Sequence, residues 1–196
     1  MEFKTISENA VSEITEKKSR FIASLFKINS AEEAEEIIKQ MKKKYHDARH
    51  NCSAYSVVQD DGFYTKFSDD GEPSGTAGAP MLNILTSNNI SNVLVVVTRY
   101  FGGILLGTGG LVRAYSTSCS DAINCGSIVS LSKGYLCHFT FNYDDTKVID
   151  SILVNCNIID KVYNDKVCYS FKIDCDSYNL VCNELSKYGD LNIIIS

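Results

Sequence analysis

The stretch from Tyr135 to Ile195 constrains the fold more than any other part of the chain. It spells strand (Tyr135–Tyr143), helix (Thr146–Asn155), strand (Ile158–Tyr163), strand (Val167–Asp174), helix (Ser177–Tyr188) and strand (Leu191–Ile195), with Asn164-Asp165 as the middle hairpin turn. That βαββαβ order is the ferredoxin-like plan, and the segment is long enough to bury a core of its own. It begins after Ser132-Lys133-Gly134, so the expected domains are 1–132 and 133–196, in an α+β protein.

The first domain reads as a second α+β unit. Val11–Thr15 and Arg20–Lys27 pair around the polar Lys17–Ser19 turn. Ser30 caps a helix, Glu33 completes an S-x-x-E box, and Ala34, Ile37, Ile38, Met41 and Tyr45 share one apolar face. A strand at Cys52–Gln59 turns at Asp60-Asp61-Gly62 and returns through Phe63–Phe67. A short helix begins near Met81. Asn92–Thr98 is continuously apolar, hence central and covered on both faces, and a helix from Thr108 to Asn124 and a closing strand at Ser127–Leu131 follow.

Composition narrows the function classes. The longest apolar run, Val93 to Val97, stops far short of the roughly 20 residues that a membrane-spanning helix needs. The opening MEFKTISENA carries no apolar signal region, and the eight cysteines form no C-x-x-C pair, so free thiols in a reducing cytoplasm are expected. A net charge of −5 gives no general attraction for phosphate backbones. Any nucleic-acid role therefore needs a local site, and no readout of DNA sequence is expected.

That local site is suggested by glycine. Nine of the 12 glycines fall between Gly62 and Gly110, eight of them in two loops, Gly71–Gly78 and Gly102–Gly110. Each loop contains a G-T-x-G element, Gly75–Gly78 and Gly107–Gly110, and each feeds a predicted helix. Glycine lets a ligand approach the backbone, and the first amides of a helix lack intrahelical partners, so such a loop can cradle an anion. Ser74, Gly75, Thr76 and Gly78 on one side, and Gly102, Gly103, Gly107, Thr108, Gly109 and Gly110 on the other, are the candidate donors. Tight turns that need glycine for geometry alone are the alternative. Neither loop is a P-loop or a dinucleotide fingerprint.

The chain's four arginines, against 15 lysines, all lie in the first domain. Arg99 and Arg113 flank the second loop and Arg49 adjoins His50, where a planar guanidinium suits phosphate oxygens. Tyr100 and Phe101 could stack on a base, although buried packing is the expected use of Phe101. Asp69, Asp70 and Glu72 could hold Mg2+ against a phosphate or pair with the arginines, and turn chemistry explains Asp-Asp-Gly equally well. His50 and Cys52 share a strand face, but no orienting acid is placed for a thiol nucleophile, which is the weaker reading.

The segments SRFIA (Ser19–Ala23), DARHNCSAY (Asp47–Tyr55), SDDGEPSGTAGAPML (Ser68–Leu82) and TRYFGGILLGTGGLVRAY (Thr98–Tyr115) resemble the IMPACT family, and its bacterial YigZ type in particular. The resemblance implies a first domain like domain 2 of ribosomal protein S5 and a ferredoxin-like second domain similar to the last domain of elongation factor G. Eukaryotic relatives regulate translation in amino-acid starvation by competing for the activator of an initiation-factor kinase, using an additional RWD domain. The first matching motif here begins at Ser19, so that role is not expected to transfer. What remains implied is a binding protein linked to translation, with RNA, a ribosome-associated factor or another phosphate-bearing ligand as partner. An enzyme acting on a phosphorylated metabolite or nucleotide, with its metal at Asp69 and Asp70, is the other reading.

Overall fold

The computed structural model describes residues 2–59, 62–132 and 134–194. The expected turn residues Asp60 and Asp61, the boundary residue Lys133 and the strand end Ile195 lie outside them. One compact unit holds Phe3–Leu131, and a second holds the described residues from Ser132 onward together with Glu2.

The first unit is built on a five-stranded sheet. Its strands are β2 (Ala10–Glu16), β3 (Ser19–Lys27), β4 (His50–Gln59), β5 (Gly62–Ser68) and β6 (Val93–Tyr100), in the order β2-β3-β6-β4-β5. The continuously apolar strand is thus central, and all its residues from Val93 to Val97 are fully buried. Alternation sends Val93, Val95 and Val97 to one face and Leu94 and Val96 to the other. Helix α1 (Ala31–Lys44) covers the second face with Ala34 and Met41, while α2 (Gly78–Ser87) and α3 (Thr108–Cys125) cover the first. The Ser30 hydroxyl accepts the Glu33 amide proton at 3.2 Å; the Glu33 carboxylate reaches back one residue beyond the cap, to the Asn29 amide at 2.8 Å.

One element differs from the sequence expectation. The strand after α3, β7 (Ile128–Ser132), does not close the main sheet; it pairs with β1 (Glu2–Ile6) in a separate two-stranded sheet. β1 alternates polar and apolar residues over only five positions, too short a run to stand out from its surroundings.

The second unit contains β8 (Gly134–Phe141), α4 (Thr146–Ile152), β9 (Asn157–Tyr163), β10 (Val167–Asp174), α5 (Cys175–Leu185) and β11 (Gly189–Ile194). The sheet order β11-β8-β10-β9, antiparallel throughout, is the ferredoxin-like arrangement. Cys137, Phe139, Phe141, Val167, Tyr169, Phe171 and Ile173 alternate onto its buried face beneath Ile149, Leu153 and Leu185. The fold class is therefore α+β in two compact units, in keeping with what the family resemblance implies.

Candidate functional site

Strand register brings the arginines to one end of the first unit. Arg20 lies opposite Tyr100, Phe21 opposite Arg99, and His50 opposite Arg99, so the β2–β3 turn, the start of β4 and the end of β6 are neighbours. Beside them, the loop Gly71–Pro73, the loop Phe101–Thr108 and Leu111 enclose a cavity of about 470 Å³ together with Arg49, His50 and Arg99. The two glycine-rich loops therefore meet.

The cavity floor is a buried polar network. Glu72 and Arg99 are only 8% and 5% exposed, and Arg99 donates from Nη1 to Glu72 Oε1 at 2.5 Å. The Tyr115 hydroxyl donates to the same oxygen at 2.8 Å, and His50 Nε2 stands 3.8 Å from it. His50 is oriented by Nδ1, which donates to the Asp70 carbonyl at 2.8 Å. Arg99 Nε, by contrast, is buried with no hydrogen-bond partner, although it belongs to a residue that lines the cavity. A buried donor left unpaired costs on the order of 1–3 kcal/mol.

The rim has a different character. Phe101 is 38% exposed, and the guanidinium carbons of Arg49 and Arg99 lie 5.6 and 5.7 Å from its ring centre. The start of α3 opens onto the same rim. Its N-cap, Gly107, has φ 73°, a left-handed conformation that favours glycine, and supplies no side chain to cap the first amides. Leu105 is 82% exposed, while Leu106 and Leu111 form the inner apolar wall.

The remaining candidates are placed as follows. Asp69 Oδ2 accepts the Gly75 amide proton at 2.8 Å, and its Oδ1 accepts those of Ala77 and Gly78 at 3.0 and 2.8 Å. The first G-T-x-G element is thus an anion cradle, but the chain's own carboxylate fills it, which corrects the expectation of an external anion at Gly75 and Gly78. The Thr76 hydroxyl donates to the Pro73 carbonyl at 2.6 Å, and Ser74 is exposed outside the cavity lining. Asp70 accepts from the Asn51 amide at 2.7 Å and from Lys42 Nζ at 2.5 Å. Burial opposes its charge, but Lys42 and the Asn51 amide outweigh burial and hold the carboxyl below its usual value. With Asp69 and Asp70 spent on these bonds, no cluster of three metal-ligating side chains exists among the described residues.

Tyr100 points away from Arg99, donating to Asp47 at 2.9 Å under the Arg20 guanidinium. Gly102 serves a close approach, since a Cβ there would collide with the Lys18 carbonyl, and Gly103 lies outside the cavity lining. Gly109 is open, while Gly110 and Arg113 line a neighbouring cavity of about 350 Å³ with Glu16 and Lys17. Burial pushes the Cys52 thiol far above its ordinary range, and it donates to the Asp69 carbonyl at 3.0 Å, an environment opposed to a thiolate nucleophile. Sequence reasoning missed Tyr115; of the readings offered for Glu72, pairing with an arginine is the one found, and the partner is Arg99.

Among known proteins, the model of the Impact N-terminal domain matches residues 17–123. IMPACT family member YvyE of Bacillus subtilis is 39% identical over 174 residues, covering 89% of this chain and 78% of that protein. IMPACT family member YigZ of Escherichia coli is 40% identical over 144 residues, 72% of this chain and 70% of its own length. A crystal structure described only as that of an hypothetical protein superposes with a TM-score of 0.66 at 30% identity, covering 100% of this chain and 97% of the other. No helix among the described residues is long and apolar enough to cross a membrane.

Proposed function

Because this chain belongs to the IMPACT family, we propose that it is a cytoplasmic binding protein for phosphate-bearing RNA and acts in the regulation of translation. The translational setting comes from the family resemblance. The eight cysteines, all free, support a reducing compartment.

The reading of an RNA ligand is carried by one observation: a cavity whose rim holds the exposed Arg49 and an uncapped helix N-terminus. Phosphate oxygens accept hydrogen bonds from such amides and complement the positive end of the helix dipole. Arg49 and Arg113 stand on either side of the α3 start, both exposed, and neither forms an ion pair among the described residues. Their charge is available to a ligand even though the chain as a whole is acidic.

The test is equilibrium binding of a labelled single-stranded RNA to the full chain across a salt series. Each phosphate contact adds about −0.7 to the slope of log K against log salt, so Arg49→Ala and Arg113→Ala should each flatten the slope by about that amount. Both substitutions are on exposed side chains and should leave the fold intact. Salt-independent binding, or slopes unchanged in both variants, would reject the site.

A further inference from the structure

Resting on that reading of an RNA ligand, we infer that the cavity takes one unstacked nucleobase of a single strand, with the base directed inward and its phosphate held at the rim. The argument begins with charge. The Arg99 cation is neutralised at the floor by the buried Glu72 carboxylate, so an anion placed there would face a carboxylate at close range. Among the described residues, the side-chain contacts of Glu72 run through Oε1. The floor therefore presents a hydrogen-bond acceptor, the second oxygen of Glu72, where the neighbouring cation is already neutralised. An acceptor there is complementary to the N–H donors on the edge of a base rather than to a phosphate, which has acceptors only.

The walls agree with the floor. Phe101, Leu105, Leu106 and Leu111 give an apolar and partly aromatic lining, as a flat heterocycle requires. Unneutralised positive charge begins only at the rim, with Arg49 and the amides of Thr108 and its neighbours. Polarity thus runs from a neutral, hydrogen-bonding interior to a cationic mouth, matching a nucleotide entered base-first. A cavity of about 470 Å³ has room for one such unit, and a base still paired and stacked in a duplex cannot enter it.

The experiment compares three probes of equal length on the full chain by fluorescence anisotropy: a single-stranded hexaribonucleotide, an abasic ribose-phosphate hexamer and an RNA duplex. The single strand should bind at least about tenfold more tightly than either of the others. Phe101→Ala, a change at a partly exposed side chain, should weaken the single strand by about 5- to 150-fold and leave the abasic probe unchanged. Glu72→Gln, which replaces one acceptor by a donor, should alter the order of affinity among the four homohexamers; should it fail to fold, Phe101→Ala decides. Abasic or duplex RNA that binds as tightly as the single strand overturns the base pocket while leaving phosphate binding at the rim in place. Absence of binding to all three probes overturns both readings.

Discussion

Replacing Asp69 by alanine should expose how far the first glycine loop depends on an internal anion. The carboxylate accepts three backbone amide protons, from Gly75, Ala77 and Gly78, at 2.8–3.0 Å. Gly75 is exposed, so water can replace the lost acceptor there, whereas Ala77 and Gly78 are buried and would be left unsatisfied. At about 1–3 kcal/mol for each buried orphan, and with the lost negative charge at the start of α2, the loss comes to about 3 kcal/mol. Local stability of that size is read by amide hydrogen exchange. Protection of a peptide spanning residues 69–87 should fall by about two decades, since about 1.4 kcal/mol is one decade. Because the variant leaves an empty cradle, added inorganic phosphate should restore part of the protection, and should do nothing for the native chain. Unchanged protection in Asp69→Ala would refute the claim that this carboxylate organises the loop.

Three other outcomes follow from the same network. The Asp70 carboxyl is held below its unfolded value, so its contribution is complete above the ordinary carboxylate range and is lost as pH falls through the folded value. Lys42→Met removes one of the donors that together outweigh burial, and acid unfolding followed by circular dichroism should then begin at a higher pH; an unchanged midpoint would count against the pairing. Arg99→Met alone strands a buried carboxylate and should cost about 3–5 kcal/mol in urea unfolding, while Arg99→Met with Glu72→Leu should recover most of it; equal losses would contradict a paired floor. Burial raises the Cys52 thiol and takes Cys119 up to about 12, so iodoacetamide at pH 8 should label exposed Cys125 well before either. Mass spectrometry locates the label, and early modification of Cys52 would contradict its burial.

Local and periodic features were legible in the residues; tertiary partners were not. The Ser30 cap, the apolar face of α1 and the βαββαβ order depend on spacings of a few residues and match the structure closely. Strand alternation already separates Tyr100 from Arg99, so pairing Tyr100 with Phe101 as a stacking platform overlooked a period-two signal present in the sequence. The glycine loops carried correct chemistry, amides arranged for an anion, but which anion depends on a chain reversal. Asp69 folds forward over the loop that follows it, and Glu72 reaches Arg99 across 27 positions and Tyr115 across 43. No periodicity encodes those choices, because each is decided by which buried charge most needs a partner.

This sharing-out of carboxylates also resolves the conflict between an acidic chain and an anionic ligand. Around the site, Asp69 is consumed by backbone amides, Asp70 by Lys42 and Asn51, and Glu72 by Arg99 and Tyr115. Each acid satisfies an internal donor and projects little field outward. Among the described residues, Arg49 and the α3 amides are left without such compensation at the mouth. A net charge of −5 spread over the rest of the surface suppresses indiscriminate adhesion to polyanions, while the cationic mouth acts only at short range, within about a Debye length. On the proposed reading, affinity would then come from what enters the cavity, and selectivity for a single exposed nucleotide over bulk nucleic acid is the consequence expected.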